Sequence, residues 1–279
     1  FVCFPMCVSF YVLIPLLFSN QYLRPYIVPA DLYMRHVNFI MGAARFIAIS
    51  NASRRDAIEY LGFPRDRIDV AYPIADPWFR ILPEETVHSA LVKMSERWSV
   101  PDQFVMSVPA LHHSKNLDTL LMAYSKLSPS FRRQLPLVLV FHLLDSERSY
   151  MQALTDKLGI TQDVILTGLV SEEELVALYN AATMLVHPSR YEGFGLPVLE
   201  AFRCGTPVIT TTSSSLPEVG GDAAVFVDPN DEQGLADAIE ALYAVPAQRD
   251  EMKQRGLAQS EKFNSTQLGE NTLNSYRKA

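Results

Sequence analysis

The stretch MLVHPSRYEGFGLPVLEAFRC, Met184 to Cys204, sets the reading of the whole chain. It opens on a short apolar run, Met184 to Val186, that reads as a buried strand ending at His187-Pro188. A polar loop with two glycines follows, Ser189 to Gly195. Leu196-Pro197 then opens a helix, with proline at a position where its missing N–H costs nothing. In a parallel sheet, ligands bind at the carboxyl ends of the strands, where helix N-termini present free N–H groups. Gly193 and Gly195 let the backbone turn sharply and a ligand come close. The expectation is an anion cradle suited to a diphosphate. Glu192 in the loop and Glu200 in the first turn of the helix flank it. A carboxylate beside a phosphate is unfavourable unless it has another task, and accepting hydrogen bonds from sugar hydroxyls is the obvious one. Spacing alone also allows Glu200 to be a complement to the helix dipole and the glycines an ordinary loop. A dinucleotide fingerprint is disfavoured, because G-F-G-L-P-V lacks the third glycine.

Outward from this unit, short apolar runs alternate with helical stretches from residue 44 onward. Strands are predicted at Arg45–Ile49, Ile68–Tyr72, Phe104–Val108, Leu137–Phe141, Val164–Thr167, Met184–His187, Val208–Thr211 and Ala224–Val227. Helices fall at about 52–61, 116–127, 146–158, 171–182, 196–204 and 231–244. Ser171 to Glu174 is a capping box, and Asn230-Asp231 is a start signal of the same kind. The alternation predicts an α/β fold, a doubly wound, Rossmann-like parallel sheet covered on both faces. Pro73, Pro77, Pro83 and Pro101 mark a boundary. Residues 1–80 then read as the tail of one α/β domain, 81–101 as a linker, and 102–245 as a nearly complete second domain. Residues 246–279 are helices expected to pack back across the boundary.

The 279 residues are 48% hydrophobic and 20% charged, with a net charge of −7. That balance is globular and offers nucleic acid no general attraction. Cys3, Cys7 and Cys204 have no second ligand pair, so they read as buried reduced thiols in a cytoplasmic protein. Phe1–Leu23 carries no charge and is long enough to span a bilayer. Pro5, Pro15 and scattered polar residues interrupt it, and no basic segment precedes it. It reads as core strand and loop of a domain whose beginning is missing, with a membrane-associated segment as the alternative.

The run HPSRYEGFGLPVLEAFRCGTPVITTTSSSLPEVGGDAAVFVDPND (187–231) resembles the signature region of the family-4 retaining glycosyltransferases of GT-B fold. It holds their E-x7-E motif as Glu192 and Glu200. SKNLDTLLMAY (114–124) is similar to their phosphate-contacting lysine segment, FIAISNASRRDAIEYLG (46–62) to the end of their N-terminal domain, and LIPLLFSNQYL (13–23) to an earlier loop. The resemblance covers essentially the whole chain. It implies a GT-B C-terminal domain with a remnant of the N-terminal one, and transfer of a hexosyl unit from a nucleotide diphosphate sugar to an acceptor hydroxyl with retention. By this resemblance Glu192 and Lys115 would carry the catalytic roles, Glu192 at hydroxyls of the donor sugar and Lys115 against the diphosphate, where it would stabilise the leaving nucleotide. The amides of Gly193, Phe194 and Gly195 would face the sugar, and that of Leu196 the diphosphate. Glu200 would take the ribose hydroxyls, and Gly168, Leu169 and Val170 the nucleobase. Ser189 and Arg190 border the pocket.

No D-x-D triplet occurs, so no metal and no cofactor is expected, and the diphosphate charge falls to Lys115 and helix N–H groups. The acceptor is expected to be a glycan or lipid-linked, and the location cytoplasmic, with peripheral attachment at the inner membrane face as an option. Two departures from the family pattern stand out. In PALHHSKN (109–116), Pro109 replaces a glycine and Ser114 an arginine, leaving His112 or His113 to compensate. Val12 replaces an aspartate in YVLIPL (11–16). The rival expectation is a non-catalytic nucleotide-sugar-binding half that needs a partner domain.

Overall fold

The computed structural model describes residues 5–24 and 28–279. Cys3 and the first part of the uncharged run therefore lie outside the described residues. The chain forms two parallel sheets. The smaller has the order β1 (Cys7–Phe10), β2 (Arg45–Ala48), β3 (Ile68–Val70). The larger comprises β4 (Val105–Ser107), β5 (Leu137–Leu139), β6 (Val164–Leu166), β7 (Met184–His187), β8 (Val208–Thr211) and β9 (Ala224–Val227). Its spatial order is β6-β5-β4-β7-β8-β9. Numbered within this sheet alone, that is 3-2-1-4-5-6, the doubly wound order whose winding reverses between β4 and β7.

The central strands are apolar on both faces, as a sheet sandwiched by helices requires. Alternate residues feed two separate cores. Phe104, Met106, Val138, Val140, Leu185 and Val208 pack into one. Val105, Leu137, Leu139, Met184, Val186 and Ile209 pack into the other. The small sheet has its own core, in which the Phe46 ring stacks on Phe63 at 3.7 Å and on Phe10 at 5.3 Å.

The segment expected as a linker holds the Glu84–Ser95 helix, which lies along the Glu172–Ala181 helix and buries Met94 in the larger sheet's core. The two C-terminal helices part company. Pro246–Ser260 packs on the helix Leu196–Arg203, so closely that a Cβ on Gly256 would meet Phe202 Cδ1 at 2.6 Å. Ser265–Lys278 reaches β2 and β3 of the small sheet, where Lys278 Nζ donates to Asp69 Oδ1 at 2.7 Å. Within the uncharged run, the described residues form β1 and two four-residue helices, Ile14–Leu17 and Ser19–Tyr22. No described helix is long and apolar enough to cross a membrane.

The small sheet's core hangs on one ring, Phe46, which is wholly buried. Phe46→Ala is expected to cost about 3–5 kcal/mol, because the three-ring stack leaves little room to collapse into the cavity. Urea melts followed by far-UV circular dichroism measure it.

Candidate functional site at the reversal of the sheet

The loops after β4 and β7 leave the sheet on the two sides of the point where the winding reverses, so nothing from the sheet stands between them. The first carries Lys115 and the second Glu192. They meet: Lys115 Nζ donates to Glu192 Oε1 at 2.8 Å. A cleft of about 810 Å³ opens above this pair. One wall is the glycine loop, Glu192 to Pro197, with His112, Ser114 and Lys115. The opposite wall comes from the small sheet, mainly Tyr11, Val12, Ile14, Ile47 and Ile49.

Glu192 is 8% exposed, and burial alone pushes its carboxyl up. Three donors converge on Oε1 and outweigh that penalty. His187 Nε2 lies at 3.1 Å, Ser189 Oγ at 2.7 Å, and Lys115 is the third. Because a carboxylate only accepts, His187 presents its Nε2–H. The hydrogen bond and charge of His187, with the Lys115 ammonium, hold Glu192 well below the usual carboxylate range. The backbone is fixed as well. Glu192 N–H donates to Ser214 Oγ at 2.8 Å, and Ser215 Oγ donates to the carbonyls of Glu192 at 3.0 Å and Phe194 at 2.7 Å. Oε2 accepts from no described residue, so one oxygen is anchored and the other is spare.

Glu200 repeats the pattern. Its Oε2 accepts from the Tyr179 hydroxyl at 2.8 Å, while Oε1 has no described partner. Burial raises its pKa, opposed by the Tyr179 hydrogen bond and the charge of Lys115. Glu200 stands in the second turn of the Leu196–Arg203 helix, not the first as the sequence suggested, because the helix starts only after Gly195. That helix has Gly195 as its N-cap at φ +112° and proline in its first turn. The N–H groups of Gly193, Phe194, Gly195 and Leu196 donate to no backbone carbonyl among the described residues.

The remaining site residues separate by position. Gly193 faces the cleft, but its lack of a side chain is demanded by the small sheet: a Cβ there would meet the Tyr11 carbonyl at 3.0 Å and Ile49 Cδ1 at 3.1 Å. The Phe194 ring is buried in the core against Tyr72 and Phe263, which leaves only its backbone for a ligand. Ser189 is wholly buried beneath Glu192 and lines no part of the cleft. The Arg190 guanidinium turns to Asn230 and Thr119, and lines a neighbouring hollow with His112 and His113. Leu169 is 76% exposed, while Val170 packs toward the core, and both lie outside the cleft lining. At Ser114, where the family's arginine would stand, the Tyr22 hydroxyl takes the backbone N–H and donates to Oγ, both at 3.0 Å. His113 is held below the usual histidine value, by burial first and then by the charge of Arg190, so it adds no cation at neutral pH.

Two contributors escaped the sequence reading, His187 and Tyr179. Their signal was faint: a histidine closing a buried strand, and a tyrosine in the last turns of an amphipathic helix. Asn116 also holds the frame, at φ +57° with Nδ2 bonded to the carbonyls of Pro188 and Pro229. Among the described residues no group of three or more His, Cys, Asp and Glu is placed to hold a metal. Cys7 and Cys204 are free thiols.

Residues 93–259 match the family model described as glycosyl transferases group 1. The chain belongs to that family. Among similar proteins, this group 1 glycosyltransferase chain is 31% identical over 254 residues to the serotype-specific mannosyltransferase WbdA of Escherichia coli, covering 90% of itself and 31% of that protein. It is 33% identical to the O-antigen chain mannosyltransferase B of Escherichia coli, covering 84% of itself and 61% of that protein. The chain thus spans from about a third to three-fifths of the length of these relatives. Among solved structures, HepE of Anabaena in complex with UDP and glucose superposes with a TM-score of 0.78 at 20% identity, over 98% of this chain and 71% of that one. The shared fold is GT-B, two parallel-sheet units facing one another.

Two substitutions probe this frame. Gly195→Ala places a Cβ 2.9 Å from Leu216 Cδ2 at a strained positive φ, and is expected to destabilise by about 1–3 kcal/mol. Lys115→Met removes a charge that keeps Glu192 ionised. A depressed carboxyl stabilises the fold above its unfolded pKa and loses that contribution as pH falls toward its folded value. The Met variant should therefore be less stable by about 1–3 kcal/mol at pH 7, with the gap closing below pH ~4.3. Denaturant melts across that pH range check the sign.

Proposed function

We propose that this chain forms the donor-binding part and the reaction cleft of a retaining hexosyltransferase that uses a nucleotide diphosphate sugar. The observation that carries the proposal is the pair of half-committed glutamates: Glu192 and Glu200 are each anchored through one oxygen, with the other spare, beside Lys115 and a glycine-opened helix start. That arrangement supports the site roles the resemblance implies. Glu192 and the N–H groups of Gly193, Phe194 and Gly195 face the donor sugar, Lys115 and the Leu196 N–H meet the diphosphate, and Glu200 takes the ribose. Leu169 and Val170 hold the base through their backbone, while Ser189 and Arg190 act from behind the pocket. We assign residues 1–80 to an acceptor-side domain, 102–245 to the donor-side domain, and 246–279 to helices that join them.

In the transfer, the bond between the anomeric carbon and the phosphate oxygen breaks as the acceptor hydroxyl attacks from the same face. The acceptor proton passes to the departing phosphate, so no protein nucleophile is required. Lys115 stabilises the charge growing on the leaving nucleotide, a contact of the kind worth several kcal/mol in the transition state. The relatives named as mannosyltransferases favour a mannosyl donor, and the one named for the O-antigen chain favours a cell-surface glycan or lipid-linked acceptor. The exposed Leu32 and Phe39, on one face of the Ala30–Ile40 helix, support peripheral attachment to a membrane, which for a cytoplasmic protein is its inner face.

Calorimetry with GDP-mannose, UDP-glucose and the free nucleotides tests the donor site. Saturable binding to one of them is expected, and none at millimolar concentration overturns the proposal. In a transfer assay, Glu192→Ala and Lys115→Ala should each lower kcat by about a hundredfold or more with the fold intact. Donor binding without transfer in the wild type selects the reading of a binding half that needs a partner domain. Wild-type rates in both variants refute the catalytic assignments.

A further inference from the structure

The glycine loop is held from the small sheet as well as from its own. The Asn51–Leu61 helix follows β2, just after Ile49, which lines the cleft. Ser50 already caps that helix locally, accepting the Ser53 N–H. The first two N–H groups are taken by a residue far along the chain: Glu218 Oε2 accepts from Asn51 N at 2.8 Å, and Oε1 from Ala52 N at 2.7 Å. Tyr72 OH adds a third hydrogen bond to Oε2 at 3.2 Å, and Arg55 is 3.9 Å from Oε1. A carboxylate with both oxygens on the first amides of a helix satisfies orphan donors and meets the positive end of the helix dipole.

Glu218 sits on the short helix Leu216–Gly220, immediately after Ser214 and Ser215. Those two serines grip the backbone of Glu192 on both its N–H and its carbonyl. The same Asn51–Leu61 helix touches the loop twice more. Tyr191 OH donates to the Asp56 carboxylate, 2.8 and 2.7 Å from its two oxygens, and Ser53 Oγ, which donates to the Tyr11 carbonyl, lies 3.3 Å from the Gly193 carbonyl. One helix of the small sheet is therefore bonded to the residue before Glu192, packed against the residue after it, and bonded through Glu218 to the short helix that follows the two serines holding Glu192.

We propose that Glu218 is a positioning residue for Glu192: by clamping the Asn51–Leu61 helix it sets the distance between the acceptor-side wall and the spare Glu192 oxygen. It touches no reacting atom. The assignment rests on the proposed transferase reading only for its kinetic arm, since the clamp has its own physical readout.

The test uses the full chain with Glu218→Ala, Glu218→Gln, and Asn51→Pro. The last removes one of the clamped N–H groups at the first helical position, where proline is tolerated and Ser50 is already extended. Hydrogen exchange followed by mass spectrometry reads the clamp. Glu218→Ala should raise exchange in 51–57 and in 191–195 together, with melting of the larger sheet unchanged. In the transfer assay kcat should fall by about tenfold to a hundredfold, with the donor dissociation constant within about twofold of wild type. Glu218→Gln should recover part of that loss. Asn51→Pro should reproduce part of it, and the double variant should lose less than the two singles combined. Unchanged exchange at 191–195 in Glu218→Ala overturns the proposal. So does an additive double variant, or a loss that appears in donor binding and leaves kcat intact. If wild type binds no donor, the transferase reading fails, and the exchange arm still decides the clamp.

Discussion

The contact between Lys115 and Glu192 depends on the order of six strands. Their loops can touch only because β4 and β7 are neighbours whose connections run to opposite sides, leaving the space above them open. Everything else in the site is arranged around keeping that buried carboxylate ionised. A carboxylate taken out of water is costly unless donors replace the water, and three donors converge on a single oxygen to do so. Placing them all on Oε1 leaves Oε2 outside the protein's own network. A site built that way has spent its binding capacity on rigidity and kept one acceptor for a ligand.

The second sheet supplies the other half of the constraint. Gly193 passes so close to the Tyr11 carbonyl and Ile49 that no side chain fits. The glycine loop therefore belongs to both units at once. Ser189 is buried beneath the carboxylate, and Arg190 ties the loop to Asn230 and Thr119. The wall opposite Glu192 is apolar, with Val12, Ile14, Ile47 and Ile49 in it, so directional hydrogen bonding comes mainly from the glycine-loop side.

Much of this was legible in the sequence because the strands are short, uniformly apolar and separated by clean helix signals. The eight strands predicted from residue 44 onward were found within two residues of their predicted ends, and the glycine-loop unit was found whole. Three things were not legible, each for a physical reason. Glu200 moved to the second turn because a positive φ at Gly195 delays the helix start, and φ is invisible in a residue list. His187 and Tyr179 were missed because a buried histidine or tyrosine in an apolar element looks like core until its partner is known. Glu218 was missed because its partners are main-chain N–H groups 166 and 167 positions away, with no side-chain pattern to announce them.

In the donor-site reading, Lys115 and the amide opening the Leu196–Arg203 helix receive a diphosphate while Glu192 and Glu200 receive hydroxyls. A crystal structure of the chain with a bound nucleotide diphosphate sugar tests it most directly. Phosphate oxygens are expected within hydrogen-bond distance of Lys115 Nζ and of the amide opening the Leu196–Arg203 helix, with the ribose at Glu200 and the sugar at Glu192 Oε2. A nucleotide bound elsewhere, with the Lys115–Glu192 contact untouched and the cleft empty, would contradict it.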